Sequence, residues 1–364
     1  MDIIPLHLGV SHFHSPAVAT QALQEALAQH NTYYGPNEGL PELRYALAQR
    51  YLEDEGLPIP AEQILITHGA KHALHLYLYS LLQPGDEVVA LAPYWFAFPE
   101  LIRQSGGKLV TVPANPAQDY ALDLDLLRQK LTPTTRLLLL TNPGNPTGKV
   151  YSPTELQHVA QLLEEFPNLH VLSDEIYDGL SYEAPVHSFL RFEPLRDRIA
   201  VVNGFSKSFA MSGWRLGYLI APFPILTKAM ELQQKWISGV SPFLQAGAVA
   251  ATQHRHQIWR EFKQDLEPKR QRLLAALRQM PKLGFTVPQA GYYVTLQLEG
   301  CLKPQDASSP FQLAEEWAAA LKDQVGLEVL PGTNMGMPHA VRMSFALPEE
   351  VLDSAILRLK AFVS

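Results

Sequence analysis

The segment RLLLLTNPGNPTG, residues 136–148, joins an apolar run to a loop of Asn, Pro and Gly. The apolar run at 136–141 predicts a strand that is covered on both faces, as in a parallel sheet. The loop that follows marks the carboxyl end of this strand. Because α/β sheets present their functional groups at the carboxyl ends of their strands, Asn145 is a candidate site residue.

Short apolar runs of the same kind alternate with helical patterns over the first 225 residues. This alternation predicts an α/β fold with a mostly parallel central sheet that is flanked by helices. The predicted strands are 64–67, 87–91, 108–112, 136–141, 170–173 and 199–203, and the predicted helices are 41–53, 71–82, 98–105, 124–130 and 153–166.

The pattern changes after about residue 225. A long helical stretch at about 223–280 is followed by short strands and two helices, which is typical of a smaller α+β domain. We therefore expect a large domain at residues 31–265 and a small domain made of residues 1–30 and 266–364. The strands predicted for this part are 286–287, 292–297, 327–330 and 341–345, and the helices are 311–324 and 348–362.

Composition and charge exclude several classes of protein. The 364-residue chain has a net charge of −7, whereas proteins that bind nucleic acid or anionic membranes present a basic face. No apolar stretch reaches the length of about 18 residues that a membrane-spanning helix needs, and no signal peptide is visible. The single cysteine, Cys301, excludes an internal disulfide framework. We expect a cytoplasmic protein without nucleic-acid or membrane partners.

Three further segments, 69–71, 174–177 and 206–215, follow predicted strands. Together with the 142–148 loop they offer an amine, a carboxylate and the N–H groups of a helix N-terminus. Pyridoxal 5′-phosphate (PLP) needs this set: an amine for its aldehyde, an anion beside its pyridine nitrogen and a site for its phosphate. The sequence therefore predicts PLP as the cofactor.

Individual residues match individual needs of PLP. Lys207 supplies the amine, and Asp174 supplies the carboxylate that keeps the ring nitrogen protonated. Tyr177 and Asn145 can hydrogen-bond the phenolic oxygen of the ring, and Trp95 can stack on the ring. The candidates for the phosphate are Gly69, Ala70, Ser206 and Arg215.

These segments resemble the fold-type I PLP enzymes, and among them the class I/II aminotransferases of the aspartate aminotransferase superfamily. One motif is Asn-Pro-x-Asn-Pro-Thr-Gly at 142–148, and the other is Ser-Lys-Ser followed by Gly-x-Arg-x-Gly-Tyr at 206–218. Asp-Glu-x-Tyr at 174–177 lies between them. The segments GAKHAL at 69–74 and PYW at 93–95 are most similar to the prokaryotic aspartate-type subgroup.

The resemblance implies a role for each matching position. Lys207 would form the Schiff base and move the substrate proton, and Arg342 would bind the α-carboxylate with a backbone contact from Gly9. Lys71 would lie at the phosphate and could meet a distal carboxylate. Tyr34 matches a tyrosine that reaches the phosphate of the neighbouring subunit, which implies a homodimer with shared active sites. The implied catalytic residues are Lys207, Asp174 and Tyr177; the cofactor-binding residues are Gly69, Ala70, Lys71, Trp95, Asn145, Asp174, Tyr177, Ser206, Lys207, Arg215 and Tyr34; and the substrate-binding residues are Arg342, Gly9 and Asn145.

The implied activity is transfer of an amino group between an L-amino acid and a 2-oxo acid. Glutamate with 2-oxoglutarate is expected as one pair, and aspartate or an aromatic amino acid as another substrate. A lyase or decarboxylase reaction remains an alternative, because it would use the same fold and the same Schiff base. The sequence Gly-Val-Ser-His-Phe at 9–13 departs from the common Gly-x-Pro-Asp-Phe, which puts the specificity in doubt rather than the PLP chemistry.

Plain structural roles stay open for several of these residues. Trp95 and Tyr34 could serve packing alone, and Gly9 could only permit a turn. His12 and His14 could line the substrate loop or belong to it without a function.

A metal site is not expected. His68 and His72 are four residues apart, but Gly69 stands where a zinc protease motif has its glutamate. Packed or solvated histidines are the better interpretation.

Overall fold

The computed structural model describes residues 2–183, 185–303 and 311–364. Its strands are β1 (Ile4–Pro5), β2 (Ile64–Thr67), β3 (Glu87–Ala92), β4 (Lys108–Pro113), β5 (Thr135–Thr141), β6 (His170–Asp174), β7 (Ile199–Gly204), β8 (Gly217–Ile220), β9 (Gly284–Phe285), β10 (Tyr293–Gln297), β11 (Leu327–Glu328), β12 (Leu330–Pro331) and β13 (Ala340–Ser344). Its α-helices are α1 (Ala17–Ala28), α2 (Pro41–Glu55), α3 (Ala70–Leu81), α4 (Phe98–Gln104), α5 (Leu124–Lys130), α6 (Pro153–Glu165), α7 (Phe223–Trp236), α8 (Pro242–Gln253), α9 (Arg255–Leu277), α10 (Ala314–Val325) and α11 (Glu349–Val363).

The main sheet of the described residues has seven strands in the order β2-β8-β7-β6-β5-β3-β4. Strands β3 to β7 pair in parallel, whereas β8 is antiparallel to both of its neighbours. The predicted fold class, an α/β fold with a mostly parallel central sheet, is confirmed. Strand β8 was not predicted, because it directly follows the 206–215 segment and begins with a glycine, a residue that is unfavourable in strands.

Apolar side chains cover both faces of this sheet. Leu138 and Leu140 of β5 belong to one buried cluster, whereas Leu137 and Leu139 belong to a second cluster on the other face. Alternate residues of a strand point to opposite faces, so one short run anchors helices on both sides. Each such buried side chain stabilises the fold by about 1.5–3 kcal/mol.

The C-terminal part corrects three predicted boundaries. The helical stretch at 223–280 is divided into α7, α8 and α9; Pro242 begins α8, and Ser238 before it has a left-handed φ of 69°. The strand predicted at 286–287 lies two residues earlier, as β9, which pairs with β10. The strand predicted at 327–330 is two strands, because β11 pairs with β1 and β12 pairs with β13.

The N-terminal residues contact two parts of the chain. Strand β1 pairs with β11, while α1 packs against α8. The division into residues 31–265 and a domain of 1–30 with 266–364 therefore stays a prediction. Among the described helices, none has both the length and the apolar character needed to cross a bilayer.

Candidate active site

The carboxyl ends of several main-sheet strands open into one cleft with a volume of about 440 Å³. Asp174 ends β6, and Lys207 follows β7. Strand β8 runs antiparallel, so Arg215, which precedes it, comes to the same edge. Eleven of the predicted site residues line this cleft, namely Gly9, Ala70, Lys71, Trp95, Asn145, Asp174, Tyr177, Ser206, Lys207, Arg215 and Arg342.

Lys207 and Asp174 supply opposite charges to this cleft. The amine of Lys207 donates a hydrogen bond to the carbonyl oxygen of Gly9. Burial raises the pKa of the Asp174 carboxyl to about 7, although the Ile176 N–H, 3.4 Å from Oδ1, and the charge of Lys207 act in the opposite direction. A buried carboxylate that faces a cleft is stabilised by a cation, and a protonated pyridine nitrogen is such a partner.

Gly69 and Arg215 form an anion-binding corner. Gly69 is the N-cap of α3 and has a left-handed φ of 84°. A Cβ on this residue would lie only 2.6 Å from Nη2 of Arg215, so the glycine leaves the space that the guanidinium occupies. Arg215 donates to the carbonyl oxygen of Ser212 at 2.8 Å, and Ala70 and Ser206 line the cleft beside it. A helix N-terminus beside a guanidinium fits a phosphate.

Arg342 is a buried cation at the other side of the cleft. Its Nη1 donates to Oδ1 of Asn145 at 3.0 Å, and its Nη2 donates to the carbonyl oxygen of His7 at 2.8 Å. Its Nε has no hydrogen-bond partner, and among the described residues no carboxylate forms an ion pair with it. The guanidinium lies 4.1 Å from the centre of the Tyr293 ring. A buried guanidinium without an anion is costly, so this position fits a ligand carboxylate.

Tyr177 belongs to a cluster of buried tyrosines. Its hydroxyl donates to that of Tyr293 at 3.3 Å, and Tyr292 donates to the carbonyl oxygen of Gly9 at 3.1 Å. Burial raises the pKa of Tyr177 well above its ordinary value, so it stays a neutral hydrogen-bond donor. Sequence reasoning missed Tyr293 as a site residue. The signal was two consecutive aromatic hydroxyls at the start of a predicted strand.

The remaining wall of the cleft is mostly apolar and was also missed. No motif marks its residues, since they reach the cleft from loops and strands far apart in sequence. Lys71 lines the cleft with its Nζ 4.9 Å from the centre of the Trp95 ring, as a cation over an aromatic face. The residues that sequence reasoning missed are His7, Leu8, Val10, Leu74, Phe96, Ile176, Ser212, Tyr293 and Leu330.

Tyr34, His12 and His14 lie outside the cleft. Tyr34 is 93% exposed, so this chain by itself does not bring it to the site. His12 lies 3.3 Å from a carboxylate oxygen of Asp265 and 3.1 Å from Nζ of Lys269. Over the described ranges, no cluster of His, Cys, Asp and Glu side chains could hold a metal ion.

Three features of the cleft fit PLP independently of one another. The carboxylate of Asp174 is buried and faces the cleft. Gly69 leaves space for Arg215 at a helix N-terminus, where a phosphate would sit. Lys207, which lines the same cleft, carries the amine that the aldehyde of PLP requires.

Comparison with known proteins agrees with this geometry. The family described as aminotransferase class I and II matches residues 2–359. A bifunctional aspartate aminotransferase and glutamate/aspartate-prephenate aminotransferase from Petunia hybrida is 33% identical over 99% of this chain and 76% of its own length. The structure of aspartate aminotransferase from Thermus thermophilus with maleate has a TM-score of 0.92 at 32% identity, with 99% of this chain and 92% of that chain covered. The aromatic aminotransferase from Pyrococcus horikoshii has a TM-score of 0.93 at 29% identity, with 99% and 95% covered.

The match extends over nearly the whole chain, and the same chain places an amine, a carboxylate and an anion-binding corner around one cleft. The cofactor of this fold is PLP, and its reaction exchanges an amino group for a keto oxygen. The chain belongs to the class I and II aminotransferases and is a PLP-dependent enzyme that transfers amino groups between amino acids and 2-oxo acids.

Proposed function

We propose that this aminotransferase acts on dicarboxylic substrates, with glutamate and 2-oxoglutarate as one pair and aspartate as a second amino donor. The observation that carries the proposal is the buried guanidinium of Arg342, which has no carboxylate partner among the described residues and shares a cleft with Lys207 and Asp174. A substrate α-carboxylate would pair this charge. Lys71, a second cation on the cleft wall, supports a second carboxylate on the substrate.

Arg342 orients the substrate in this proposal. When bound, PLP supplies an electron sink for the bond that breaks at the substrate Cα. Arg342 holds the α-carboxylate and thereby sets which Cα bond stands perpendicular to the cofactor ring. Gly9 lines the same cleft as Arg342, and its backbone would contribute a contact to the α-carboxylate.

Lys207 moves the proton in this proposal. Its amine holds the cofactor until an amino acid displaces it, and the freed amine then takes the proton from the substrate Cα as a general base. The hydrogen bond from Lys207 to the carbonyl oxygen of Gly9 gives the freed amine a resting position beside the substrate.

Asp174, Tyr177 and Asn145 tune the cofactor. The buried carboxylate of Asp174 would keep the positive charge at the ring nitrogen. Tyr177 would donate to the phenolic oxygen of the ring. The Oδ1 of Asn145 accepts from Arg342, which leaves its amide N–H₂ to donate to the same phenolic oxygen and links the carboxylate site to the ring.

The remaining cleft residues would bind the phosphate of PLP and contact the face of its ring. Gly69 and Ala70 offer N–H groups at the start of α3, Ser206 offers a hydroxyl from the segment after β7, and Arg215 adds the charge. Trp95 would stack on the ring face, and Lys71, whose Nζ lies 4.9 Å from the centre of the Trp95 ring, would be available to the phosphate or to a distal carboxylate of the substrate.

An aromatic second substrate is also supported by the cleft wall. Leu8 and Phe96 are 40% and 44% exposed while they line the cleft, and Leu330 and Val10 lie on the same wall. Such a wall suits a bulky apolar side chain. Relatives include enzymes named for prephenate and one named for aromatic substrates.

One experiment tests the proposed substrates. The enzyme is loaded with PLP, each amino acid is added singly, and the absorption of the bound cofactor is followed. Glutamate and aspartate are expected to convert the cofactor to its amino form, and 2-oxoglutarate is expected to restore it. A release of ammonia without transfer to 2-oxoglutarate would instead support the lyase alternative.

We infer further that the enzyme works as a homodimer with shared active sites. Tyr34 supports this, because it is 93% exposed and matches a tyrosine that reaches a neighbouring site. Tyr33 and Tyr45, with 82% and 61% exposure, lie on the same part of the chain. A cytoplasmic location also stays a proposal, supported by the single cysteine and the acidic net charge.

A further inference from the structure

Tyr293 lies where three functional groups of the cleft meet. Its hydroxyl is 3.3 Å from that of Tyr177, and its ring centre is 4.1 Å from the guanidinium carbon of Arg342. A Cβ built on Gly9 would lie 3.2 Å from the Tyr293 hydroxyl and 3.3 Å from Nζ of Lys207. The Tyr293 hydroxyl and the Lys207 amine therefore lie close to each other, on either side of the space that a side chain at Gly9 would fill. The side chain of Tyr293 is buried, which fixes its position.

The strand pairing explains why one side chain reaches all these groups. Tyr293 begins β10, which is antiparallel to β13, the strand that carries Arg342. Arg342 is opposite Thr295, so Tyr293 and Arg342 are diagonal neighbours on the paired strands.

We propose that Tyr293 is a positioning residue with two separable contributions. Its hydroxyl directs the hydrogen bond of Tyr177, and its ring holds the guanidinium of Arg342 in place for the substrate carboxylate. This inference rests on the proposed function, because it assumes that Tyr177 meets the phenolic oxygen of PLP and that Arg342 meets the carboxylate.

The first contribution follows from the hydrogen count of a tyrosine. A phenolic hydroxyl has one hydrogen to donate and lone pairs that accept. In the structure Tyr177 donates this hydrogen to the hydroxyl oxygen of Tyr293. When Tyr177 donates to the cofactor instead, its oxygen becomes the acceptor and the hydroxyl of Tyr293 becomes the donor. A donor to the Tyr177 oxygen makes Tyr177 a stronger donor to the ring, because hydrogen bonds in a chain polarise one another.

The second contribution follows from the surroundings of Arg342. The guanidinium carbon lies 4.1 Å from the centre of the Tyr293 ring, which stabilises the charge by a cation–π contact. Asn145 and the carbonyl oxygen of His7 take one hydrogen each from the two terminal nitrogens. Nε has no hydrogen-bond partner, and its N–H lies in the plane of the guanidinium, so an anion can accept from it along this edge. This edge is the geometry in which a carboxylate accepts two hydrogen bonds.

Two variants of the PLP-loaded enzyme separate the contributions. Tyr293→Phe removes the hydroxyl and keeps the ring, whereas Tyr293→Leu removes both. Tyr120→Phe is the control. The Tyr120 hydroxyl also contacts β10, because it accepts a hydrogen bond from Nε2 of Gln297 at 2.6 Å, but Tyr120 lies outside the cleft. The first measurement is the pH midpoint of the absorption change of the bound cofactor. The second is the dissociation constant of maleate, a dicarboxylate that has no amino group to transfer.

The two measurements are expected to respond differently. In Tyr293→Phe the absorption midpoint should rise by about half a pH unit to one unit, since Tyr177 becomes a weaker donor to the ring. The affinity for maleate should stay within about twofold of the wild type, because the cation–π contact remains. Tyr293→Leu should in addition weaken maleate binding by roughly five- to thirtyfold. Tyr120→Phe should change neither value.

The outcomes that overturn the inference are distinct from those that overturn the proposed function. An unchanged midpoint in Tyr293→Phe would refute the role of the hydroxyl. Equal maleate affinities in Tyr293→Leu and Tyr293→Phe would refute the role of the ring, and Tyr293→Met takes the place of the leucine variant if that one does not fold. A wild-type enzyme that does not transaminate dicarboxylic amino acids would refute the proposed function itself.

Discussion

At the scale of single residues, the proposed function gives Lys207 the covalent chemistry. We expect Lys207→Ala to lose covalent attachment of PLP and to lose activity by about 10⁴-fold or more, because the variant lacks both the nucleophile and the base. Mass spectrometry after borohydride reduction measures the attachment. Lys71→Ala, which removes another amine that lines the same cleft, should keep it. A Lys207→Ala protein that still gains the mass of the cofactor would contradict this assignment.

Asp174 should make the stability of the cofactor-free protein depend on pH. Burial raises the pKa of its carboxyl to about 7, so the folded state holds the proton more tightly than the unfolded chain. The stabilisation by this proton is complete below about pH 4 and is lost as the pH rises through 7. Between about pH 4.5 and 7, the free energy of unfolding should therefore fall more steeply for the wild type than for Asp174→Asn, by on the order of 1 kcal/mol per pH unit.

Urea unfolding of both proteins at several pH values measures this difference. The comparison isolates Asp174, because the other groups titrate equally in both proteins. One such group is Glu55, whose pKa burial also raises to about 7. Parallel pH profiles of the two proteins would show that Asp174 does not hold the proton.

Residues within motifs were predictable, and residues outside them were not. Asn145 and Asp174 could be predicted as candidates, because each lies at or just beyond the end of a buried strand and matches a need of PLP. His7 was missed, because its contribution is a backbone carbonyl, which leaves no pattern in the sequence. Tyr293 was missed although two consecutive tyrosines mark the start of its strand, because its contact with Arg342 depends on the pairing of distant strands.

At the scale of elements, the start of α3 forms the anion-binding corner. Gly69→Ala places a side chain in a left-handed conformation and against Arg215, whose Nη2 would lie 2.6 Å away. We expect the affinity for PLP to fall by about tenfold or more, because the guanidinium must leave the corner. Gly56→Ala is a matched control: Gly56 ends α2 with a φ of 69° and has open space around it.

Gly56→Ala should lose about 1 kcal/mol of stability, since a left-handed conformation strains any residue with a Cβ. Gly69 has a φ of 84° and a ψ of 163°, a conformation that is essentially restricted to glycine, so Gly69→Ala should lose about 1–3 kcal/mol. Only Gly69→Ala should lose affinity for PLP, as measured by fluorescence titration of the cofactor-free enzyme. Equal affinities in the two variants would show that the corner does not bind the phosphate.

Elements buried on both faces were the most predictable part of the fold. Strands β3 to β7 are long apolar runs bounded by turn residues, and their positions follow from the sequence. Strand β8 begins with Gly217, and β11 and β12 have only two residues each, so pairing with distant partners defines these strands rather than their own pattern. Secondary structure that depends on such pairing is invisible to local periodicity.

At the scale of the whole molecule, the site is assembled from distant parts of the chain. Arg342 and Asn145 form a hydrogen bond across 197 positions of sequence, and Lys207 and Gly9 form one across 198. Spacing alone does not predict such contacts. The resemblance to a family supplied Arg342 and Gly9 as candidates, and the structure places both in the cleft of Lys207.

The proposed homodimer leads to a prediction about mixed subunits. If Tyr34 of one subunit completes the site of the other, Tyr34→Ala and Lys207→Ala damage different halves of each shared site. Each variant alone should have low activity. In a mixed dimer, the subunit with Tyr34→Ala keeps its own Lys207 and receives an intact Tyr34 from its partner, so one of the two sites is complete.

Mixing the two inactive variants, with brief unfolding and refolding to exchange subunits, should therefore restore part of the wild-type activity. A mixture of Lys207→Ala with Asp174→Asn is the control, because Lys207 and Asp174 of one chain line the same cleft. In this mixed dimer one site still lacks the amine and the other still lacks the carboxylate, so no activity should return. Sedimentation of the wild type gives the assembly independently. Tyr34 is 93% exposed in one chain, so only a partner subunit could bring it to a phosphate. A wild type that sediments as a monomer, or a mixture that recovers no activity, would therefore contradict the shared site.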